Sequence, residues 1–394
     1  MMKQAAIVIA AYNRPESLAR LLNSLARADY GLYKDIDLVI SIDGGGNKLV
    51  HEVSQNFIWS YGRKQLLVHE ENIGLHDHLI SCGNLTGKYG NIILLEDDLM
   101  VSRNFYTYAC RALEYYENDN KIAGIGLYSY HYNETALLPF RPLDDGNEVY
   151  FLQHPCSWGQ AWTEKQWAGF IQHYTANLKI SNSIEIPDSV RSWPESSWKK
   201  YFAAYMVESN SYFVYPQFSY TTNFADPGEN WSSGLAFFQV PLEHQANPEY
   251  TFTTLDAGFN IYDAYFEILT DCLIKLGAGI DPDTCVDIYG KKPLQYIKQK
   301  YLISSKICNS PIKQYGTELK PLLQNIIQNA PGQMLAYAQT DDFSDRLSPD
   351  IYHRIWEKQH AQGYYAATKT IHYKLGFYLL NPFKYIKKRW RNPF

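Results

Sequence analysis

Five short apolar runs, separated by amphipathic stripes, leave the N-terminal third of this chain few ways to fold. Ala5–Ala11 is continuously apolar, as a strand covered on both faces must be. Tyr12-Asn13-Arg14-Pro15 ends it, and Pro15 suits the first turn of a helix. Leu18, Leu21, Leu22 and Leu25 then follow at helical spacing. Asp37–Ile42, Leu66–Val68, Ile92–Leu95 and Ile122–Leu127 read as further strands. Stripes between them predict helices: Val50, Val53, Phe57 and Tyr61, then Leu75, Leu79 and Leu85. Strand–helix alternation predicts an α/β fold with a Rossmann-like parallel sheet and helices on both faces.

In such sheets ligands bind at the carboxyl ends of the strands. Three strands here end in polar groups: Asn13 and Arg14, Asp43, and the triplet Glu96-Asp97-Asp98. The alternation therefore predicts that all three sets meet at one sheet edge. Three adjacent acids repel unless a cation or hydrogen-bond donors offset them. A hard divalent cation with oxygen ligands, Mn²⁺ or Mg²⁺, does this while also holding a diphosphate. The bland alternative is a solvated acidic turn.

Composition narrows the class. The chain of 394 residues is long enough for two or three folding units. Its net charge of -5 argues against a nucleic-acid partner. Its cysteines, Cys82, Cys110, Cys156, Cys272, Cys285 and Cys308, form no CxxC pair, so buried reduced thiols in a cytoplasmic protein are expected. No run reads as a signal peptide or a membrane span. The 33 Tyr and 9 Trp include rings suited to stacking on sugars, although most such rings serve as core.

Residues 5 to about 130 resemble a family 2 glycosyltransferase domain of the GT-A type, and in particular the relatives of N-acetylglucosaminyltransferase I. The matching pieces are Ile9–Arg14, Val39–Gly44, Glu71-Asn72-Ile73-Gly74 and Ile93–Leu99, in that order. The resemblance implies that Asn13 and Arg14 lie at the nucleotide and that Asp43 hydrogen-bonds uracil. It implies Asp98 as the direct metal ligand, with Glu96 and Asp97 on the ribose and metal-bound water.

After residue 130 polar and aromatic segments take over, such as Ser157-Trp158-Gly159-Gln160-Ala161-Trp162 and Trp193-Pro194. Bacterial polysaccharide glycosyltransferases carry similar pieces, which extends the resemblance to about residue 240. Trp158, Trp162 and Trp198 are candidates for stacking on a sugar or for core. One departure matters. The relatives place a catalytic Asp directly after the Trp that matches Trp198, and here that position is Lys199. A charged lysine accepts no proton. Glu195 is taken as the substitute base, paired with Lys199 at i,i+4 spacing, with Asp188, Asp226 and Glu229 as alternatives.

The expected organisation is a nucleotide-sugar-binding half (1–130), an acceptor half (131–250), a mostly helical extension (251–368) and a tail (369–394). Leu319, Leu322, Leu323, Ile326 and Ile327 predict one helix of the extension. The tail interleaves Lys374, Lys384, Lys387, Lys388, Arg389 and Arg391 with aromatics. It suits either an anionic membrane surface or a docked terminal helix. The function expected is transfer from a nucleotide sugar, a UDP-sugar, to a saccharide or lipid-linked saccharide. The transfer is expected to invert the anomeric centre and to serve surface polysaccharide synthesis at the inner face of the cell membrane. Two rivals stand beside it. Nucleotidyl transfer needs a Gly-rich loop that Tyr12–Pro15 lacks, and a non-catalytic sugar-binding relative would explain Lys199.

Overall fold

The computed structural model describes residues 3–347 apart from 178, 225, 227–237 and 246–248. Its centre is a nine-stranded sheet. In chain order the strands are β1 (Ala6–Ala11), β2 (Leu38–Ile42), β3 (Lys64–Val68), β4 (Asn91–Glu96), β5 (Ile122–Gly126), β6 (Val149–Leu152), β7 (Gln160–Thr163), β8 (Tyr212–Pro216) and β9 (Ile261–Tyr262). Their spatial order is β9-β6-β8-β5-β7-β4-β1-β2-β3. All five predicted strands are present. β1 runs parallel to both β2 and β4, with Val8 beside Val39 and Leu94, and these runs are fully buried. Only the Leu66–Val68 run, at the β3 edge, remains part-exposed.

The parallel expectation holds for β3-β2-β1-β4 and changes beyond it. β7 is antiparallel to β4 and β5, which therefore run the same way. β8 is parallel to β5 and antiparallel to β6. The carboxyl ends of β1, β2, β4, β5 and β8 thus share one edge.

Helix α1 (Pro15–Ala26) begins on Pro15 and buries Leu18, Leu21, Leu22 and Leu25, as its stripe requires. α2 (Lys48–Asn56) is shorter than its stripe. Phe57 leaves the helix, and Tyr61 lies beyond it, packed on Tyr30 with ring centroids 4.3 Å apart. α3 (Gly74–Gly83) packs on β1 and β4. α4 (Phe105–Tyr116) and α5 (Glu164–Ala176) pack on β5 and β7. A capping box starts α5: the Thr163 hydroxyl accepts from Gln166 N, and Gln166 Oε1 accepts from Thr163 N at 3.0 Å. α6 (Trp198–Glu208) packs against α5 and α3.

The extension corrects the expectation of a mostly helical segment. Over residues 251–347 it is largely strand and loop. A second sheet forms from β10 (Thr284–Asp287), β11 (Tyr301–Ser304), β12 (Lys313–Tyr315) and β13 (Leu335–Gln339), in the order β10-β11-β13-β12. The apolar stripe around Leu322 yields only the single turn Gln324–Ile327. Leu322, Leu323 and Ile326 are buried all the same, so the spacing records core contact rather than a long helix. The tail 369–394 lies outside the described residues. Among the described residues no helix is long and apolar enough to cross a membrane.

Candidate active site

The shared strand edge gathers the polar groups that the sequence marks. Arg14 stands at the β1–α1 junction, Asp43 directly after β2, and Glu96 at the last position of β4. Arg14 lies over the acid triplet. Its Nη1 donates to Asp98 Oδ2 at 2.8 Å, and its Nη2 donates to Asp97 Oδ1. Burial opposes the Arg14 charge, but Asp97 and Asp98 outweigh it and raise the guanidinium above its ordinary pKa. Burial pushes the Asp97 carboxyl up to about 6 against the pull of Arg14. Burial first, and the Asp98 charge second, push Glu96 well above the carboxylate range. Asp97 and Asp98 are thus offset by one internal cation, while Glu96 takes up a proton more readily than a free carboxylate.

Asp43 is buried and already engaged. Its Oδ1 accepts from the amides of Gly44 and Ile73, both at 2.9 Å, and its Oδ2 accepts from Gly74 N at 3.1 Å. The residue therefore ties the loop after β2 to the start of α3. Of the roughly four acceptor positions a carboxylate offers, three are taken. The glycines that follow are demanded by close approach. A Cβ on Gly44 would lie 2.3 Å from the Glu71 backbone, and one on Gly46 would lie 2.2 Å from Tyr12 O.

Among the described residues no group of three or more His, Cys, Asp or Glu side chains is arranged to hold a metal. Asp98 offers less than a full cage. Its Oδ1 is buried without a hydrogen-bond partner. One free carboxylate oxygen suits a Mg²⁺- or Mn²⁺-type ion that takes its other ligands from a diphosphate and water.

Beyond the triplet lies a cluster of aromatic rings. Trp158, just before β7, packs on Tyr128 and on Phe238, with ring centroids 4.7 and 4.5 Å apart. Trp162 and Trp198 are core residues, fully or almost fully buried among Trp167, Phe202 and Phe213. Of the three candidate stacking rings only Trp158 is part-exposed.

Lys199 does not pair with Glu195. Glu195 precedes the helix that starts at Trp198, so the i,i+4 relation does not apply. Its carboxylate is 75% exposed and accepts from Lys200 Nζ and Tyr201 Oη, both at 2.6 Å. Lys199 instead turns inward. Its Nζ lies 3.5 and 3.4 Å from the two oxygens of Glu134 and about equally far from two indoles, 5.4 Å from the Trp158 centroid and 5.1 Å from Trp193. His154 Nε2 sits 3.5 Å from the same carboxylate. Burial would raise the Glu134 carboxyl, but Lys199 and then His154 hold it down at about 2. Burial keeps the His154 pKa below its ordinary value against the pull of Glu134.

Glu134 escaped the sequence reading. It follows the fifth strand on the same edge, and a lysine in the first turn of a helix is itself a signal. A cation there opposes the helix dipole and calls for an acid partner. Of the other candidate bases, Asp226 accepts from Ser17 Oγ at 2.7 Å and from Arg20. Asp188 is an exposed residue at the start of the short turn Asp188–Arg191. Glu229 lies outside the described residues.

Residues 6–173 match the family described as Glycosyl transferase family 2. Among solved structures, S. aureus TarS (residues 1–349) in complex with UDP-GlcNAc aligns at 12% identity and a TM-score of 0.39, covering 57% of this chain and 60% of that one. The mannosyltransferase PcManGT from Pyrobaculum calidifontis, in complex with GDP-Man and Mn²⁺, aligns at 11% identity and 0.32, covering 48% and 50%. Mouse xyloside xylosyltransferase 1 aligns at 12% and 0.36, covering 53% and 83%. The alignment spans 36% of the longer S. aureus TarS chain. No curated protein sequence matches the chain.

Proposed function

We propose that the chain, whose residues 6–173 match the glycosyl transferase family 2 domain, is a glycosyltransferase of the GT-A type and that its donor is a UDP-sugar. The acceptor is a saccharide or lipid-linked saccharide, the transfer inverts the anomeric centre, and the setting is surface polysaccharide synthesis. The supporting observation is the strand edge itself. Arg14, Asp43 and the Glu96–Asp98 triplet stand at three separate strand ends on one edge, the edge at which such sheets bind ligands, and Arg14 bonds both Asp97 and Asp98.

Each residue has a role its chemistry allows. Asp43, on its remaining acceptor position, takes a uracil N–H. Glu96 and Asp97 face ribose hydroxyls and ordered water, and Asn13 lies at the same nucleotide. Arg14 exchanges carboxylate for diphosphate oxygens, which a guanidinium binds equally well. Asp98, with its unpartnered oxygen, would hold the Mn²⁺ or Mg²⁺ ion. When bound, that ion offsets the negative charge that develops on the departing diphosphate.

A thermal-shift panel of UDP-glucose, UDP-galactose, UDP-N-acetylglucosamine, GDP-mannose and ADP-glucose, each with and without MnCl₂, tests the donor class. A ligand that binds only the native state raises Tm with the logarithm of its concentration over Kd. A UDP-sugar should shift Tm most, and only with metal. A larger shift from the guanine or adenine donor would remove the UDP assignment.

The basic aromatic tail 369–394 supports a peripheral contact with an anionic membrane, where a lipid-linked acceptor resides. Deleting it should abolish sedimentation with phosphatidylserine vesicles, and 0.5 M NaCl should do the same, since screening shortens the attraction. Vesicle binding that survives both treatments would contradict the contact.

A further inference from the structure

The transfer requires a group that takes the proton of the acceptor hydroxyl, and the acids along the strand edge are mostly committed elsewhere. Asp97 and Asp98 are paired with Arg14. Asp43 holds three backbone amides. Asp226 is held by Arg20 and Ser17. Glu195 sits in solvent ahead of α6, paired with Lys200.

Glu134 differs from all of these. Its partner Lys199 lies 5.4 Å from the Trp158 ring, and the Trp158 carbonyl accepts from Thr221, whose segment pairs with Leu99–Val101 directly after the triplet. Its side chain is 15% exposed, within reach of a substrate yet shielded from bulk water. The turn that carries it is fixed. Asn133 Oδ1 accepts from Thr135 N at 2.8 Å, Thr135 Oγ1 at 2.7 Å and Ala136 N at 3.0 Å, and Asn133 Nδ2 donates to Tyr265 O. Lys199 straddles both carboxylate oxygens at 3.4–3.5 Å, longer than the ~2.7–2.9 Å of a tight charged hydrogen bond. The pair therefore fixes the charge on Glu134 without filling its acceptor positions. Trp158 and Trp193, both part-exposed, each lie within 5.4 Å of the Lys199 ammonium and are rings of the kind that pack on a pyranose face.

We infer that Glu134 is the general base of the transfer, held ionised and in place by Lys199, with the acceptor sugar received beside the Trp158 and Trp193 rings. The inference rests on the transferase reading above. In the step, the acceptor O–H proton passes to the Glu134 carboxylate, and the freed oxygen lone pair forms the new bond to the donor's anomeric carbon. The old bond from that carbon to the diphosphate oxygen breaks, and its electron pair leaves with UDP. Lys199 is a positioning residue.

The experiment begins with the unmodified full chain. UDP-glucose, UDP-galactose, UDP-N-acetylglucosamine and UDP-N-acetylgalactosamine, with MnCl₂, are incubated with a panel of p-nitrophenyl glycosides, and products are read by mass. No product from any pair would remove the transferase reading itself, before any variant is compared. With the productive pair, Glu134→Gln should lower kcat by about a hundredfold or more while leaving UDP affinity within about threefold. Glu195→Gln should stay near the unmodified rate. Glu134→Gln/Lys199→Met leaves no unpaired charge and carries the test if the single variant folds poorly. As a base, Glu134 is missed in the double variant too, which should be as slow as the single one. Recovery of kcat in the double variant, or normal turnover in Glu134→Gln, would show that Glu134 serves only to neutralise Lys199 and would overturn the assignment.

Discussion

Arg14 Nη1 donates to Asp98 Oδ2 at 2.8 Å, while Asp98 Oδ1, also buried, has no hydrogen-bond partner. One carboxylate thus has an internal counter-ion on one oxygen and an open position on the other. Replacing Arg14 leaves Asp97 and Asp98 facing each other unneutralised. Arg14→Ala should cost about 3 kcal/mol of stability at pH 7.5, the usual loss when one partner of a buried pair is removed. The sign with pH follows from Asp97. Its folded pKa, about 6, lies above its ordinary 3.8, so the folded state holds the proton more tightly. The destabilisation should therefore be small below pH 4 and grow as pH rises through 6 and beyond. Urea unfolding at pH 4 and at pH 7.5 measures it, and an equal loss at both would contradict the counter-ion role.

Asp43 serves fold and ligand together, and one substitution separates the two. In Asp43→Asn one amide oxygen still accepts from Gly44 and Ile73. The new NH₂, however, faces the Gly74 N–H, donor against donor. A stability loss of about 1–3 kcal/mol should follow. If the remaining acceptor position reads uracil, UDP affinity should fall about tenfold relative to GDP affinity, which is ~1.4 kcal/mol. Titration calorimetry with both nucleotides checks this. An equal loss for the two would leave Asp43 a purely structural residue.

What the sequence disclosed was what local patterning encodes. β1, β2 and β4 are continuous apolar runs, and the polar residues at their ends follow from strand direction alone. The antiparallel β7 was hidden because Gln160-Ala161-Trp162-Thr163 is short and carries a buried glutamine. β6 and β8 were hidden because their aromatic residues read equally well as an acceptor surface. The second sheet was missed because strands such as Tyr301–Ser304 pair with partners tens of residues away, while the stripe at Leu322–Ile327 has helical spacing without helical length. Glu134 was missed for the same reason. Its partner Lys199 is 65 positions along the chain, and no local period joins them.

Lys199 should reveal itself in the pH profile of turnover. Glu134 is held at about 2 because Lys199, and His154 after it, outweigh burial. A base with so low a pKa stays ionised across the working range, so Glu134 should produce no acid limb between pH 4 and 8 in the unmodified chain. Lys199→Met removes the largest depressing charge and leaves burial to push the carboxyl up. Turnover should then fall as pH drops through a new limb above pH 4, with the Glu134 carboxylate protonating along it. A kcat profile of identical shape in both proteins would contradict the positioning role of Lys199.

A nucleotide diphosphate should bind at the strand edge through a metal held by Asp98. Calorimetric titration of UDP into the full chain, first with EDTA and then with MnCl₂, tests this directly. UDP should bind at least about tenfold more tightly with metal, a difference of ~1.4 kcal/mol. Asp98→Asn should remove that difference while its unfolding midpoint stays close to that of the unmodified protein. UDP affinity equal with and without Mn²⁺, or a metal effect that survives Asp98→Asn, would contradict the account.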